Sequence, residues 1–274
     1  MNNSHKKSIG ITFLGSGSKG NAAMLELDGN FYVLDAGLSC RTIEQFLAVR
    51  GKTLADIHGI IITHGHGDHV KGLATLLKRT QAPIFASPGT WKEIQHYSLV
   101  PNRFIPLPRD REIELEGIRI WAFRVPHDAL EPVGLRLESH GGSVAIATDL
   151  GHITAEAMHH LTDSDIVCLE SNYDEEMLAS CAYPGWLKTR IRGPLGHLPN
   201  TGTRGVLSRL KRSLSHLVLV HVSQESNTPG LVLENLEPIR SLPSLRNATV
   251  TVAAQDKETP TLFVNQANLE HHRR

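Results

Sequence analysis

Apolar and polar positions alternate along the chain in a way that divides it into short strands and helices of ordinary length. Ile9–Leu14, Ala22–Leu27 and Phe31–Leu34 read as strands, and Asp28-Gly29-Asn30 between the last two predicts a tight hairpin. Ser39–Val49 has helical spacing, with Ser39 placed to cap its start and Gly51 just past its end. A buried strand over 59–62 is followed by a helix over 69–79, then by a short helix over Thr90–Tyr97 after Pro88-Gly89. A strand-rich block runs from 104 to 149. Beyond it, helices at Thr154–Leu161, Asp174–Cys181, Thr201–Arg212 and Leu231–Ile239 alternate with strands at Asp165–Leu169, His216–Val220 and Ala248–Val252. No short-period repeat, low-complexity tract or long linker breaks this order. The 274 residues read as one domain, 1–274, of two similar halves, large enough to bury a substantial core.

Composition narrows the setting. A hydrophobic content of 40% with 20% charged residues is that of an ordinary soluble protein. No apolar stretch approaches the length of a membrane span, and the opening Met1-Asn2-Asn3-Ser4-His5-Lys6-Lys7 leads into the first strand without a secretory core. Cys40, Cys168 and Cys181 are odd in number and scattered, which argues against a disulfide framework; Cys40 and Cys168 sit among apolar neighbours as small core residues. A reducing cytoplasm is the expected compartment. The net charge is zero, but its distribution is uneven: from Met177 to Gln224 there is no Asp or Glu, while Lys188, Arg190, Arg192, Arg204, Arg209, Lys211 and Arg212 fall in that interval. The competing reading, a solvated helix face, is strongest for Arg209, Lys211 and Arg212.

The chemistry concentrates at the end of the 59–62 strand. Thr63-His64-Gly65-His66-Gly67-Asp68-His69 sets three imidazoles and a carboxylate where a buried strand hands over to a helix. His64 and His66, two residues apart in extended backbone, point to the same side. Neutral imidazole and carboxylate together suit zinc, manganese or iron. Further along, His127 follows a strand-like run over Ile118–Phe123, Asp149 ends the apolar run Val144–Thr148, and His221 ends Leu217–Val220. Strand ends are where sheets of this kind carry their sites. The remaining histidines, among them His5, His96, His140, His152, His159 and the His271-His272 tail, read as ordinary surface. Gly15-Ser16-Gly17-Ser18-Lys19-Gly20-Asn21 reads first as a turn; its backbone amides could also cradle a phosphate, although it lacks the spacing of a nucleotide-binding loop.

The His-x-His-x-Asp-His pattern with these strand-end partners resembles the metallo-β-lactamase superfamily. That resemblance implies an α+β fold, an αββα sandwich of two mixed β-sheets flanked by helices, with two divalent metal ions side by side at one end. His64, His66 and His127 would hold the first ion, Asp68, His69 and His221 the second, with Asp149 bridging. Cys168-Leu169-Glu170-Ser171-Asn172-Tyr173-Asp174 followed by Gly196-His197-Leu198-Pro199-Asn200 is similar to ribonuclease Z-like phosphodiesterases. Carried over, His197 is the proton donor and Glu170 its orienting partner. Together with Leu34-Asp35-Ala36-Gly37-Leu38-Ser39, His127-Asp128-Ala129, Thr148-Asp149-Leu150-Gly151 and His221-Val222-Ser223-Gln224, these blocks resemble the YycJ/WalJ-type subfamily over nearly the whole chain. The resemblance implies a 5′-to-3′ exonuclease acting on DNA, with a role in mismatch repair.

In that scheme a hydroxide shared by the two metals attacks phosphorus in line, and Asp68 both ligates and holds the nucleophile. The locally basic segment lies between Asp149 and His221, which fits a polyphosphate substrate. Arg190, Arg192, Arg204 and Asn200 are the residues expected to hold it, with Tyr183 and Trp186 placed either to stack on a terminal base or to pack. A small-molecule hydrolase of thioester or lactam type would explain the ligands equally, but leaves Glu170, His197 and the acid-free segment unused. A homodimer stays open as the assembly. Two departures stand out: Gly65 and Gly67 are smaller than the residues usual between such ligands, and Pro199 replaces the usual Ser beside the expected acid, fixing the backbone there.

Overall fold

A computed structural model describes residues 7–97 and 103–264; His5, His271 and His272 lie outside them. The first half makes a seven-stranded sheet of β1 (Ile9–Gly15), β2 (Ala22–Leu27), β3 (Asn30–Leu34), β4 (Ile57–Ile62), β5 (Ile84–Ala86) and β6 (Phe104–Pro106), in that order, with β14 (Leu262–Phe263) on the edge beside β1. The second sheet orders β7 (Ile113–Leu115), β8 (Ile118–Arg124), β9 (Val133–Ser139), β10 (Gly142–Ala147), β11 (Ile166–Glu170), β12 (His216–Val220) and β13 (Thr249–Val252) side by side. Each sheet begins antiparallel and ends parallel: β3 to β6 in one, β10 to β13 in the other. The β2–β3 hairpin turns through Asp28 (φ 51°) and Gly29 (φ 87°), the two positive-φ residues that a two-residue loop matched to strand twist requires.

Period-two alternation explains the layering. Ile61 points between the sheets, where it meets Ile11, Leu25, Ile120, Leu135, Ile146 and Val218. Its neighbours Ile60 and Ile62 face outward onto α1 (Cys40–Val49) and α3 (Leu73–Arg79), through Ile43, Leu47, Leu73 and Leu76. Ile94, from the short helix α4 (Pro88–Ile94), joins the same outer layer. Ala145, Leu169 and Leu219 likewise face α5 (Ala155–Thr162), α8 (Asn200–Leu207) and α9 (Pro229–Leu236). The result is the four-layered αββα sandwich. Ser39 caps α1 by accepting from Thr42 N, as its sequence position predicts.

Three elements differ from the sequence reading. The single helix expected over 69–79 is two, α2 (Gly67–Val70) and α3, broken at Gly72. Gly72 N donates to Ala36 O (2.8 Å), and a Cβ there would lie 2.0 Å from Leu38 O, so the chain must step aside at this contact. The second difference is a helix the spacing did not reveal, α7 (Gly185–Arg192), between α6 (Glu175–Ser180) and α8. The helix expected over Thr201–Arg212 stops at Leu207. Among the described residues, no helix is long and apolar enough to cross a membrane.

Candidate metal centre and active site

All parallel strands of one sheet end on the same side, so the residues just past β3, β4, β10, β11 and β12 converge at one edge of the sandwich. Three of these strand-end residues, Asp35 (φ 56°), Asp149 (φ 56°) and His221 (φ 53°), are held in the left-handed region. Such backbone costs on the order of 1–3 kcal/mol per non-glycine residue and persists where the surroundings impose it.

The side chains that meet there are the ones the motif names. His64, His66 and His127 form one group whose donor atoms lie within 4.8 Å of one another, Asp68, His69 and His221 a second, and His64, His69 and Asp149 a third that joins them. Two atoms at the centre, His64 Nε2 and Asp149 Oδ2, are buried without a hydrogen-bond partner, although His69 Nε2 is 3.2 Å from the latter. Buried polar atoms left unpaired are costly, and here they are a carboxylate oxygen and an imidazole nitrogen facing each other's cluster. A divalent cation would satisfy both, so the donor set fits one.

The opposite edge of each imidazole is fixed by the protein, as metal-binding histidines require. Thr63 Oγ1 donates to Asp35 Oδ2 (2.9 Å), so it must accept from His64 Nδ1 at 3.1 Å, which leaves His64 Nε2 with its lone pair. His69 Nδ1 lies 2.7 Å from Asp35 Oδ2, and His127 Nδ1 3.1 Å from Gly196 O. His66 Nε2 faces Asp128 O at 3.3 Å, turning Nδ1 towards His127 Nε2, 3.1 Å away. Asp35 was missed in the sequence reading; its place at the end of β3, in the half-repeat position that Asp149 holds after β10, is the signal that could have found it.

Charge follows the same division. Burial, with the other rings close by, holds His64 well below the ordinary imidazole range and His127 below it. For His69 burial acts the same way, but the carboxylates of Asp149 and Asp35 prevail and hold it well above. His221 is pushed up to about 10: burial opposes its charge, and Asp149, Asp68 and Glu170 outweigh it.

Glu170, fully buried at the end of β11, is saturated. Its Oε2 accepts from Leu150 N (3.0 Å) and Leu198 N (3.1 Å), while Oε1 lies 2.8 Å from both His197 Nδ1 and His221 Nδ1. Burial would raise its pKa, but the two facing rings hold it below the ordinary value. Glu170 therefore orients His221 as well as His197. Nε2 of His197 makes no hydrogen bond among the described residues, and the ring lines a cavity of about 250 Å³ with His66, Asp68, Asp149, His221, Tyr183 and Arg190. Pro199 sits at the start of α8, where its missing N–H costs nothing, so His197 keeps its aim on Glu170.

The expected substrate residues separate. Arg190 lines the cavity and grips Asp128 through Nε (2.7 Å) and Nη2 (3.1 Å). Arg192 is exposed and Arg204 is half-buried on α8, and neither is part of the lining. Asn200 is a correction: it is buried, and its side-chain amide is bonded to Ser171 Oγ (2.6 Å) and Asn227 (2.9 and 3.0 Å), so it offers a substrate nothing. The Gly15–Asn21 loop is a turn, and its Ser18 lines the cavity. Several of its amides are spent within the protein, Gly17 N on Asn21 Oδ1 (2.8 Å), Lys19 N on Gln255 Oε1 (2.8 Å) and Asn21 N on Asp68 O (2.8 Å). Gly65 is small for a reason, since a Cβ there would lie 2.6 Å from that of Glu93, which accepts from Gly65 N. His160, read with the surface histidines, stacks on Phe123 at 4.8 Å.

Comparison with known proteins agrees with this fold. Residues 30–222 match the model of the beta-lactamase superfamily domain. The chain is 30% identical over 234 residues to exodeoxyribonuclease YycJ of Bacillus anthracis, covering 81% of this chain and 86% of that protein. It is 30% identical over 227 residues to exodeoxyribonuclease WalJ of Streptococcus pneumoniae, with 80% and 84% covered. The metallo-beta-lactamase fold protein YhfI of Bacillus subtilis superposes with a TM-score of 0.70 at 12% identity, over 92% of this chain and 99% of that one. The chain belongs to the beta-lactamase superfamily and, within it, to the family of the YycJ and WalJ exodeoxyribonucleases.

Proposed function

We propose that the protein is a metal-dependent phosphodiesterase, a 5′-to-3′ exodeoxyribonuclease working with two divalent ions. The observation that carries this reading is the His197–Glu170 pair at 2.8 Å beside the ligand cluster, with the free edge of His197 in the cavity. A thioester or lactam hydrolase on the same ligands would still use Glu170 to orient His221, but leaves His197 without work. His64, His66 and His127 would hold one ion and Asp68, His69 and His221 the other, with Asp149 between them. Bound there, zinc, manganese or iron would supply Lewis acidity and lower the pKa of a water to near neutrality.

The chain's own residues do the rest. Asp68, whose carboxylate faces the cavity, accepts a hydrogen bond from the attacking water and sets its direction. Arg190 meets the charge that grows on the phosphoryl oxygens. His197, its Nδ1 edge held by Glu170, gives the Nε2 proton to the departing sugar oxygen. The free cysteines suit a reducing cytoplasm. The test is one assay of DNA labelled at either end, RNA, a thioester and a lactam. Nucleotide release from the 5′ end of DNA supports the proposal, and turnover confined to the thioester or lactam would overturn it.

A further inference from the structure

Of the three tryptophans, two are packed: Trp91 stacks on Phe104 (4.5 Å, 8°), and Trp121 lies beneath the Arg119 guanidinium (4.9 Å). Trp186 is 70% exposed on α7, the helix whose Leu187, Arg190 and Ile191 line the cavity, although Trp186 is not itself part of that lining. Leu187 and Ile191 anchor that helix inward, onto Tyr173 and Leu178. Trp186 and Arg190 stand four residues apart, hence on one face, with Cβ atoms about 5–6 Å from each other. Arg190 is also pre-set. Asp128 holds Nε and Nη2, so the remaining terminal nitrogen, Nη1, is unpartnered among the described residues. Leu130, two residues beyond Asp128, and Leu195, two before His197, are exposed at 67% and 47%. An exposed indole is common enough alone; here it stands one turn from a cavity-lining arginine on the same helix face.

We infer that Trp186 and Arg190 form a clamp for one unpaired nucleotide, the indole stacking on its base and the guanidinium holding its phosphate, so that the cavity receives a single-stranded end. This rests on the phosphodiesterase reading and adds what it leaves open, the strandedness of the substrate. The partner follows from the juxtaposition of an aromatic face and an oriented cation on a segment without acidic residues, continuous with the site. Nucleobases stack on aromatic side chains whatever their sequence, and cations follow the backbone. A duplex keeps its base faces covered except at its ends.

The test uses full-length His197→Ala protein, so that bound DNA is not consumed, with a 5′-phosphorylated oligothymidylate and a blunt hairpin duplex as probes. Adding Trp186→Ala should weaken single-strand binding about tenfold, the order of one base–aromatic stack, and abolish the quenching of tryptophan emission on binding. Trp186→Phe should restore most of the affinity, and duplex binding should not change. Equal single-strand affinity with and without Trp186 would overturn the clamp, as for a patch that serves a protein partner. An equal loss on the duplex would overturn it too. If His197→Ala protein binds neither probe and the wild-type chain releases no nucleotide, the nuclease reading itself fails, a result distinct from tight binding indifferent to Trp186.

Discussion

The stretch without acidic residues is one basic band in the sequence but two regions in the fold. From Tyr183 to His197 it borders the end that carries the candidate metal ligands: Tyr183, Leu187, Arg190, Ile191 and His197 all line the cavity. From Arg209 to Arg212 it lies elsewhere. Arg209 and Lys211 edge a separate hollow with Met158, His159, Thr162 and Asp163, and Arg212 is tied to Asp165 (2.6 Å) and to Asp163 O (2.9 Å). The cause is α8, whose eight residues carry the chain about 12 Å before it enters β12 from the end opposite His221. Density of charge along a sequence does not locate a site; the direction of the strand that follows does.

The comparison can be broken at each level. The largest effect is expected at His197: His197→Ala should lower the rate by about two to four orders of magnitude with metal content unchanged. That loss should shrink on a nitrophenyl phosphodiester, whose leaving group needs no proton, and an equal loss on both substrates would contradict the role. Next comes the contrast in charge. Arg190→Gln with Arg192→Gln should weaken single-strand DNA binding and flatten its salt dependence by about 0.7 for each phosphate no longer neutralised, while Arg209→Gln with Lys211→Gln should leave the slope alone. Equal slopes from both pairs would erase the distinction. Arg212→Ala should cost about 1.5–3 kcal/mol of stability in a denaturant titration with no change in turnover, because it removes the guanidinium from a mostly buried carboxylate. The smallest effect concerns His160 in the second region, whose pKa burial lowers from 6.5 to about 4, with His159 and Arg136 adding to it. The unfolded chain then binds the proton first, so stability from this group is complete above pH 6.5 and declines towards pH 4. His160→Gln should therefore show a shallower fall in denaturation midpoint from pH 7 to pH 5 than the parent.

Much of this was legible in advance, for reasons that differ between residues. The cluster of His64 to His69 could be read because the candidate ligands are neighbours in sequence after an unmistakable buried strand. His127, Asp149 and His221 were legible because apolar runs end in them. Asp35 also ends an apolar strand but was passed over, since its partner His69 lies 34 positions away and its work is to hold that ring, which only the fold reveals. Asn200 misled because a polar residue beside His197 looks available, whereas its amide closes a buried network with Ser171 and Asn227. α7 escaped because its apolar spacing is thin: Leu187 and Ile191 alone face inward, and Trp186 faces out. The break at Gly72 depends on Ala36 and Leu38, which sequence periodicity cannot see.

The central claim is that the strand ends of both sheets build one metal-binding cluster from His64, His66, Asp68, His69, His127, Asp149 and His221. Elemental analysis of protein purified without chelator tests it most directly. The account predicts about two divalent ions per chain, falling on His127→Ala and on His69→Ala but not on His197→Ala. A chain that carries no metal and takes none up from zinc, manganese or iron solutions would contradict it.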